Sequence, residues 1–165
     1  MNRRIVLQSL VAAGLALTGS GACAQADAPG AVHVMRHLDT PAGVRDPDLT
    51  DVGKRRAVAL VAWFAGKPLT AIYVTNPKRT RQSVAPLAAA RGLVPKVYDP
   101  ADPAALVATT RAAERAALIV GHSNTVPEII ERLGGARPAP LSHPDFGDVW
   151  TVTAAGTAHA RVAAE

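Results

Sequence analysis

The sequence predicts an α/β fold, a three-layer α/β/α sandwich around a mostly parallel central sheet. Short runs rich in Val, Ile and Ala alternate with stretches that repeat apolar residues at helical spacing, an order that favours parallel strands joined by helices. The run Ala116–Val120 is wholly apolar, which is typical of a central strand covered by helices on both faces. The 165 residues, 48% of them hydrophobic, are enough for one domain of ordinary size.

The predicted elements follow one another in a regular order. Apolar residues at helical spacing predict helices over 57–64, 77–91, 106–113 and 126–133. Thr50 or Asp51 can cap the first helix, and Gly92 ends the second. Segments 38–49 and 136–147, both rich in proline, predict loops. Five β-rich runs predict strands within the sheet, and a sixth can add a strand at its edge: Ala31–Met35, Ala71–Thr75, Val94–Tyr98, Ala116–Val120, Val149–Val152 and Ala158–Val162.

The first 24 residues have the layout of a secretory signal peptide. A basic start, Asn2-Arg3-Arg4, precedes an apolar stretch over Ile5–Ala16, and Ala22-Cys23-Ala24 places small residues where a signal peptidase reads them. We expect cleavage after Ala24, one mature domain over residues 25–165, and a periplasmic or secreted protein. Because the apolar stretch is short for a membrane span, we expect no stable membrane insertion after cleavage. The arginine pair partly resembles a twin-arginine signal, so the general and twin-arginine export routes both stay open.

Charge and cysteine content narrow the classes of partner. The chain has 18 basic and 13 acidic residues, and cleavage after Ala24 would remove two arginines and no acid. The remaining mild positive excess favours small anionic ligands. No basic tract is interleaved with aromatic residues, so we expect no nucleic-acid partner. The sole cysteine, Cys23, lies in the cleaved segment, so no disulfide is expected in the mature domain.

Polar residues follow four of the predicted strands at the point where each strand ends. The carboxyl ends of parallel strands meet at one rim of the sheet, which is where proteins of this class bind ligands. Four strands that deliver polar side chains to one rim predict a binding site there. The groups delivered are Arg36-His37 after the first strand, Thr75-Asn76 with Arg79 after the second, Tyr98-Asp99 after the third, and Gly121-His122-Ser123-Asn124 after the fourth.

Two histidines and two arginines at one rim fit an anion better than a metal ion. A divalent cation beside Arg36 and Arg79 would be repelled, and no acidic cluster compensates, so we expect no metal site and no cofactor. Guanidinium groups instead bind phosphate oxygens in a bidentate way. The amides of Ser123 and Asn124 are expected to open a helix and to add hydrogen-bond donors to phosphate. A neutral imidazole in this setting can attack phosphorus and form a covalent intermediate.

Four motifs resemble those of the histidine phosphatase superfamily, the phosphoglycerate mutase-like group. Arg36-His37 resembles its Arg-His-Gly motif, and Leu49-Thr50-Asp51-Val52-Gly53 resembles the Leu-Thr-x-x-Gly that opens the next helix. The stretch Tyr73–Ser83 is similar to the family's Tyr-Ser-Ser-x-x-x-Arg-Ala-x-Gln-Thr, and Val120-Gly121-His122-Ser123 is similar to its second histidine motif. The motifs keep the family's order across nearly the whole mature chain, and the short length resembles the small branch with SixA-like phosphohistidine phosphatases.

The resemblance implies a phosphoglycerate mutase-like fold and a metal-independent phosphatase. It implies that His37 takes the phosphoryl group and that Arg36, Arg79 and His122 form the phosphate pocket. The alignment of the motif favours Arg79 over the neighbouring Arg81 as the second phosphate ligand. Because the long insertions of the mutases are missing, the resemblance implies hydrolysis rather than a mutase reaction.

Two positions depart from the pattern of the family. The glycine that follows the nucleophilic histidine is Leu38 here. The glutamate that protonates the leaving group in larger members has no counterpart, and three aspartates stay open as the general acid: Asp99, Asp102 and Asp39. Asp99 stands at the end of a predicted strand, where it can serve as this acid or form the turn Tyr98-Asp99-Pro100.

The leading functional hypothesis is an exported phosphomonoesterase that acts on a small phosphorylated substrate through a phosphohistidine on His37. A protein phosphohistidine phosphatase and an envelope-saccharide phosphatase are alternatives within the same class of enzyme. The non-enzymatic alternative is a phosphate-binding module without activity. Of the remaining histidines, His33 is interpreted as a hydrogen-bonded core residue and His143 as a surface residue of the second proline-rich loop.

Overall fold

A computed structural model of the protein describes residues 30–143 and 145–164, so the predicted signal peptide lies outside the described residues. Within the described ranges the strands are β1 Val32–Arg36, β2 Ala71–Val74, β3 Lys96–Val97, β4 Ala117–Gly121, β5 Asp148–Thr153 and β6 Gly156–Arg161. The helices are α1 Asp51–Trp63, α2 Lys78–Arg91, α3 Pro103–Ala112 and α4 Val126–Arg132. In this part of the chain no helix combines the length and the apolar character that crossing a bilayer requires.

The strands form one sheet with the order β3-β2-β4-β1-β5-β6. The pairs β1–β4, β2–β4 and β2–β3 are parallel, so the sheet has the predicted strand direction in this part. β5 runs antiparallel to β1, and β6 runs antiparallel to β5. The direction of β6 follows from its connection, because a turn as short as residues 154–155 joins antiparallel neighbours only.

Helices cover both faces of the sheet, which confirms the predicted three-layer α/β/α sandwich. Side chains alternate between the two faces along each strand. Met35 and Leu118 pack with α1 and α2 in one apolar cluster, whereas Val34 and Ile119 pack with α3 and α4 in another. All four side chains are fully buried, and each such burial stabilises the fold by about 1.5–3 kcal/mol. Strands β1 and β4 therefore lie at the centre of the molecule.

Local sequence features begin and end the helices as predicted. The Thr50 hydroxyl accepts a hydrogen bond of 3.1 Å from the N–H of Gly53 and so caps α1. Gly92 adopts the left-handed conformation, with φ 62°, and ends α2. These caps fix where the loop after β1 meets α1 and where α2 stops.

Gly53 is required because α1 approaches the chain beyond β1 very closely. A Cβ atom at this position would lie 2.5 Å from the carbonyl oxygen of Asp39. The same carbonyl accepts the N–H of Thr50 at 2.9 Å. Helix α1 is therefore docked directly on the backbone just beyond His37, and any side chain larger than hydrogen would displace that backbone.

The third strand is shorter than predicted. It comprises only Lys96–Val97 instead of Val94–Tyr98, and both of its residues are exposed. β3 is an edge strand that pairs with β2 alone. Because it lacks a second strand partner and a buried face, little stabilises a longer strand here.

The fourth helix begins at Val126, where its apolar spacing predicts it, so the expectation that Ser123 and Asn124 open a helix is wrong. Those two residues form a turn in which the N–H of Val126 donates to the carbonyl of His122 at 3.0 Å. Pro127 occupies the first turn, where a missing N–H costs nothing, and it favours this later start.

Candidate active site

The pairing of β1 with β4 brings the two histidines of the predicted site together. Arg36 is the register partner of Gly121 in this parallel pair. Beyond the last residue of β1, the backbone N–H of His37 donates to the carbonyl of Gly121 at 2.9 Å. The side chains of His37 and His122 consequently leave the sheet next to each other, with their ring centroids 5.6 Å apart.

His37 is held as a neutral imidazole with a defined tautomer. Its Nδ1 lies 2.9 Å from the carbonyl oxygen of Leu38, and because that oxygen can only accept, Nδ1 carries the proton. The lone pair is then on Nε2. Burial lowers the pKa of His37 to about 3, while the Leu38 hydrogen bond opposes this shift and the charge of Arg36 adds to it. The ring is therefore an uncharged potential nucleophile at neutral pH.

Leu38, which replaces the glycine of the family, has a packing role. Its side chain is fully buried in the apolar cluster beneath α1 and α2, away from the solvent-exposed rim. Its N–H donates to the hydroxyl of Ser83 at 2.8 Å, and that hydroxyl donates to the carbonyl of Arg79 at 2.7 Å. Leu38 thus fixes the carbonyl that orients His37 and ties it to the first turn of α2.

Arg36 is oriented by the segment that precedes β5. One terminal nitrogen, NH1, donates to the carbonyl oxygens of Ser142 at 2.7 Å and Asp145 at 3.3 Å. Its guanidinium carbon lies 4.3 Å from the ring centroid of Phe146, within the range of a cation–π contact. Its Nε is buried and has no hydrogen-bond partner among the described residues. The guanidinium is thus held in place with donors left for an anion.

Arg79 and His122 contact each other in the pocket that His37 lines. NH2 of Arg79 lies 3.4 Å from Nδ1 of His122, and Nε2 of His122 lies 2.8 Å from the hydroxyl of Thr75. Because a guanidinium only donates, Nδ1 accepts and Nε2 carries the proton. Burial lowers the pKa of His122 to about 4, and the charges of Arg79 and Arg36 act in the same direction. His122 is therefore also uncharged at neutral pH.

Arg81 takes a different position from Arg79. Its NH2 donates to the side-chain oxygen of Asn76 in an exposed contact. It does not line the pocket that contains His37, whereas Arg79 does. The geometry agrees with the choice of Arg79 over Arg81.

The histidines and arginines line an open pocket of about 640 Å³. Residues 40–47 of the loop after β1 form one wall, and Ser123 and Asn124 form another. Ser123 therefore lies at the predicted place, although without a helix behind its amide. The structure brings Arg36, His37, Arg79, His122 and Ser123 to one pocket.

None of the three aspartates proposed as the general acid lines this pocket. Asp99 accepts the N–H of Ala101 at 2.9 Å, as a turn-forming residue does. Asp102 caps α3 by accepting the N–H of Ala105 at 2.9 Å. Asp39 is paired with the guanidinium of Arg56. Each carboxylate has a structural partner, so the placement of Asp99 at the site is a prediction that the geometry does not favour.

Two titratable residues, Asp46 and His143, line the pocket although the sequence pattern assigns neither to the site and indicates a surface-loop position for His143. Asp46 lines it and lies 3.6 Å from NH1 of Arg79. His143 also lines it, as an exposed residue, and its Nε2 donates to the carbonyl of Thr40 at 3.0 Å. Both come from proline-rich loops, and no periodicity shows which way such loops fold. The positive φ of Asp46, 46°, has no sequence signature beyond the tolerance of aspartate for it.

Metal-ligating side chains do not cluster at the site. Among residues 30–143 and 145–164, no group of three His, Cys, Asp or Glu side chains is placed to hold a metal ion. The donors that face the pocket are instead cationic or neutral nitrogen groups, which suit an anion.

Comparison with known proteins gives a family match over the N-terminal half of the described domain. The model of the histidine phosphatase superfamily (branch 1) matches residues 32–101, a span that contains Arg36, His37 and Arg79. A sequence comparison with curated proteins gives no significant match.

Several solved structures share the fold. The protein histidine phosphatase SixA in complex with tungstate has a TM-score of 0.60 at 18% identity, over 81% of this chain and 96% of that chain. A mycobacterial glucosyl-3-phosphoglycerate phosphatase in complex with inorganic phosphate has a TM-score of 0.55 at 13% identity, over 74% and 89%. YhfR from Bacillus stearothermophilus has a TM-score of 0.55 at 16% identity, over 79% and 95%. At these identities the likeness concerns the fold.

The family match and the shared fold point to one class of protein. Residues 32–101 are similar to the histidine phosphatase superfamily (branch 1). The expected phosphoglycerate mutase-like α/β fold is confirmed by the mixed six-stranded sheet with helices on both faces.

The lowered pKa values predict an unusual titration of the site. The ring signals of His37 and His122 should stay those of neutral imidazole down to about pH 5 in NMR spectra, whereas histidines of the unfolded chain titrate near 6.5. Since the unfolded chain then binds more protons, the free energy of unfolding should fall as the pH drops from about 6.5. Ring signals that titrate near pH 6.5 in the folded protein would contradict this description of the site.

Proposed function

We propose that this protein is a phosphomonoesterase that hydrolyses phosphate esters through a phosphohistidine on His37. The observation that carries the proposal is the buried neutral ring of His37, whose Nδ1 is engaged by Leu38 while Arg36 and Arg79 line the same pocket. An uncharged nitrogen nucleophile beside two guanidinium groups suits attack on a phosphate dianion. The match of residues 32–101 to the histidine phosphatase superfamily supports a hydrolase of this class.

In the proposed reaction, Nε2 of His37 attacks phosphorus and the bond to the leaving oxygen breaks. The guanidinium groups of Arg36 and Arg79 stabilise the negative charge on the equatorial oxygens. The phosphorylated ring becomes cationic, and the hydrogen bond from Nδ1 to the carbonyl of Leu38 stabilises that charge. Water then attacks the phosphohistidine, which releases phosphate and returns the neutral ring. No step of this scheme requires a metal ion.

A second candidate is the dephosphorylation of phosphohistidine on proteins. It is favoured by the placement of Asp99, Asp102 and Asp39 outside the pocket, because an imidazole leaving group needs less protonation than an alkoxide. The fold is also similar to that of SixA, a protein histidine phosphatase. The pocket is open to solvent, and Arg45 is exposed at its wall. It would therefore admit a small phosphate ester, a phosphorylated envelope saccharide or a phosphorylated group on a protein.

The first test is hydrolysis by the mature domain. Residues 25–165 should hydrolyse p-nitrophenyl phosphate in the presence of excess chelator, and His37→Ala should reduce kcat to background because it removes the nucleophile. His159→Ala is the matched control, since this histidine is exposed on β6 and pairs with Asp148 outside the pocket.

Two outcomes would refute the proposal. Hydrolysis that persists in His37→Ala would exclude His37 as the nucleophile. A wild-type protein that binds phosphate tightly but hydrolyses none of a broad panel of esters and phosphoramidates would be the phosphate-binding module instead.

We further propose that the enzyme acts outside the cytoplasm, on the strength of the signal-peptide layout of residues 1–24. The full chain expressed in a Gram-negative host should be recovered from the periplasm with residue 25 as its N-terminus. Recovery of the uncleaved chain from the cytoplasmic fraction would contradict export.

A further inference from the structure

Asp46 is the acidic residue that lines the pocket of the described chain. It lies in the loop between β1 and α1, and its side chain is 43% exposed. Its Oδ1 accepts the backbone N–H of Lys78 at 2.9 Å and lies 3.6 Å from NH1 of Arg79. None of the hydrogen bonds among the described residues uses its second oxygen, Oδ2. One oxygen of this pocket-lining carboxylate is thus anchored, and the other has no hydrogen bond among the described residues.

Successive contacts connect Asp46 to His37 through Arg79 and His122. The ring of His37 lies 5.6 Å from that of His122, which lies 3.4 Å from Arg79, which in turn lies 3.6 Å from Asp46. In a phosphoryl transfer the leaving oxygen departs roughly in line with the attacking atom, on the other side of phosphorus. A proton donor for that oxygen must therefore stand across the pocket from the nucleophile.

We propose that Asp46 is the general acid that protonates the leaving oxygen of an alkyl phosphate ester. This inference rests on the proposed function of His37 as the nucleophile. It predicts that the pocket prefers phosphate esters of alcohols to phosphoramidates and activated aryl esters. The alkoxide of such an ester is a poor leaving group unless it is protonated.

The protons and charges balance over the two steps. In the first, the bond from Nε2 of His37 to phosphorus forms, the ester P–O bond breaks, and the carboxyl proton of Asp46 passes to the leaving oxygen as the alcohol departs. In the second, the Asp46 carboxylate takes a proton from water as the water oxygen attacks phosphorus, and the N–P bond breaks. The products are hydrogen phosphate, neutral His37 and protonated Asp46.

The position of Asp46 allows a conservative test. Asparagine tolerates a positive φ as aspartate does, and its side-chain oxygen can still accept the N–H of Lys78. Asp46→Asn therefore keeps the loop anchored and removes only the charge and the transferable proton. Asp48→Asn is the matched control, because Asp48 belongs to the same loop but pairs with Lys78 and Gln82 and does not line the pocket.

The experiment compares two substrates that differ in their leaving group. For Asp46→Asn, kcat/KM with glycerol phosphate should fall by about 10²–10⁴-fold, while p-nitrophenyl phosphate, whose leaving group needs no proton, should be hydrolysed at close to the wild-type rate. Asp48→Asn should leave both rates unchanged. This dependence on the leaving group distinguishes an acid from a residue that merely positions Arg79.

Three results would overturn the assignment of Asp46. An equal loss with both substrates would make it a positioning residue for Arg79, and unchanged rates would remove it from the reaction. Wild-type protein that hydrolyses the aryl ester but not the alkyl ester would overturn the assignment and leave the phosphohistidine on His37 standing. If the proposed phosphomonoesterase function is wrong, the wild type hydrolyses neither ester. That result differs from the three above, and it also refutes the assignment of Asp46.

Discussion

One backbone hydrogen bond determines the geometry on which the site depends. The N–H of His37 donates to the carbonyl of Gly121, which continues the β1–β4 ladder beyond the end of β1. Both strands are buried between two helical layers, so their register is fixed by the packing of alternate side chains on the two faces. A shift of one residue would turn the core side chains of β1 to the wrong face and separate His37 from His122. The position of His37 is therefore fixed by the same register that packs the core.

The second constraint is electrostatic. Two guanidinium groups attract a phosphate dianion, and they also disfavour a proton on any nearby imidazole, as does burial. The same environment that would bind the proposed substrate thus keeps the proposed nucleophile, His37, uncharged. The backbone determines the tautomer of His37, because the carbonyl of Leu38 fixes the proton on Nδ1 and leaves the lone pair on Nε2. Leu38 secures that carbonyl from the core side, which explains how the site is built without the glycine of the family.

The parts of the structure that follow from periodic burial could be predicted from the sequence. The wholly apolar run of β4 and the helical spacing in α1 and α2 indicated the sandwich, and strand ends indicated Arg36, His37 and His122. The loops could not be predicted, because their conformation depends on individual contacts rather than on a repeating pattern. Asp46 is held by the N–H of Lys78, far away in sequence, and Asp99 is held by its own turn. The strand-end pattern pointed to Asp99 and not to Asp46, and only the contacts show that Asp46 lines the pocket whereas Asp99 does not.

The central claim is that the phosphoryl group passes through His37. The most direct measurement is a rapid-quench reaction of the mature protein with a radiolabelled phosphate ester, followed by tests of the chemical stability of any labelled protein. If the proposed reaction is correct, the wild type should carry label that is lost in acid and kept in base, as expected for phosphohistidine, and His37→Ala should carry none. Turnover of the ester without any labelled protein, or label that persists in His37→Ala, would contradict it.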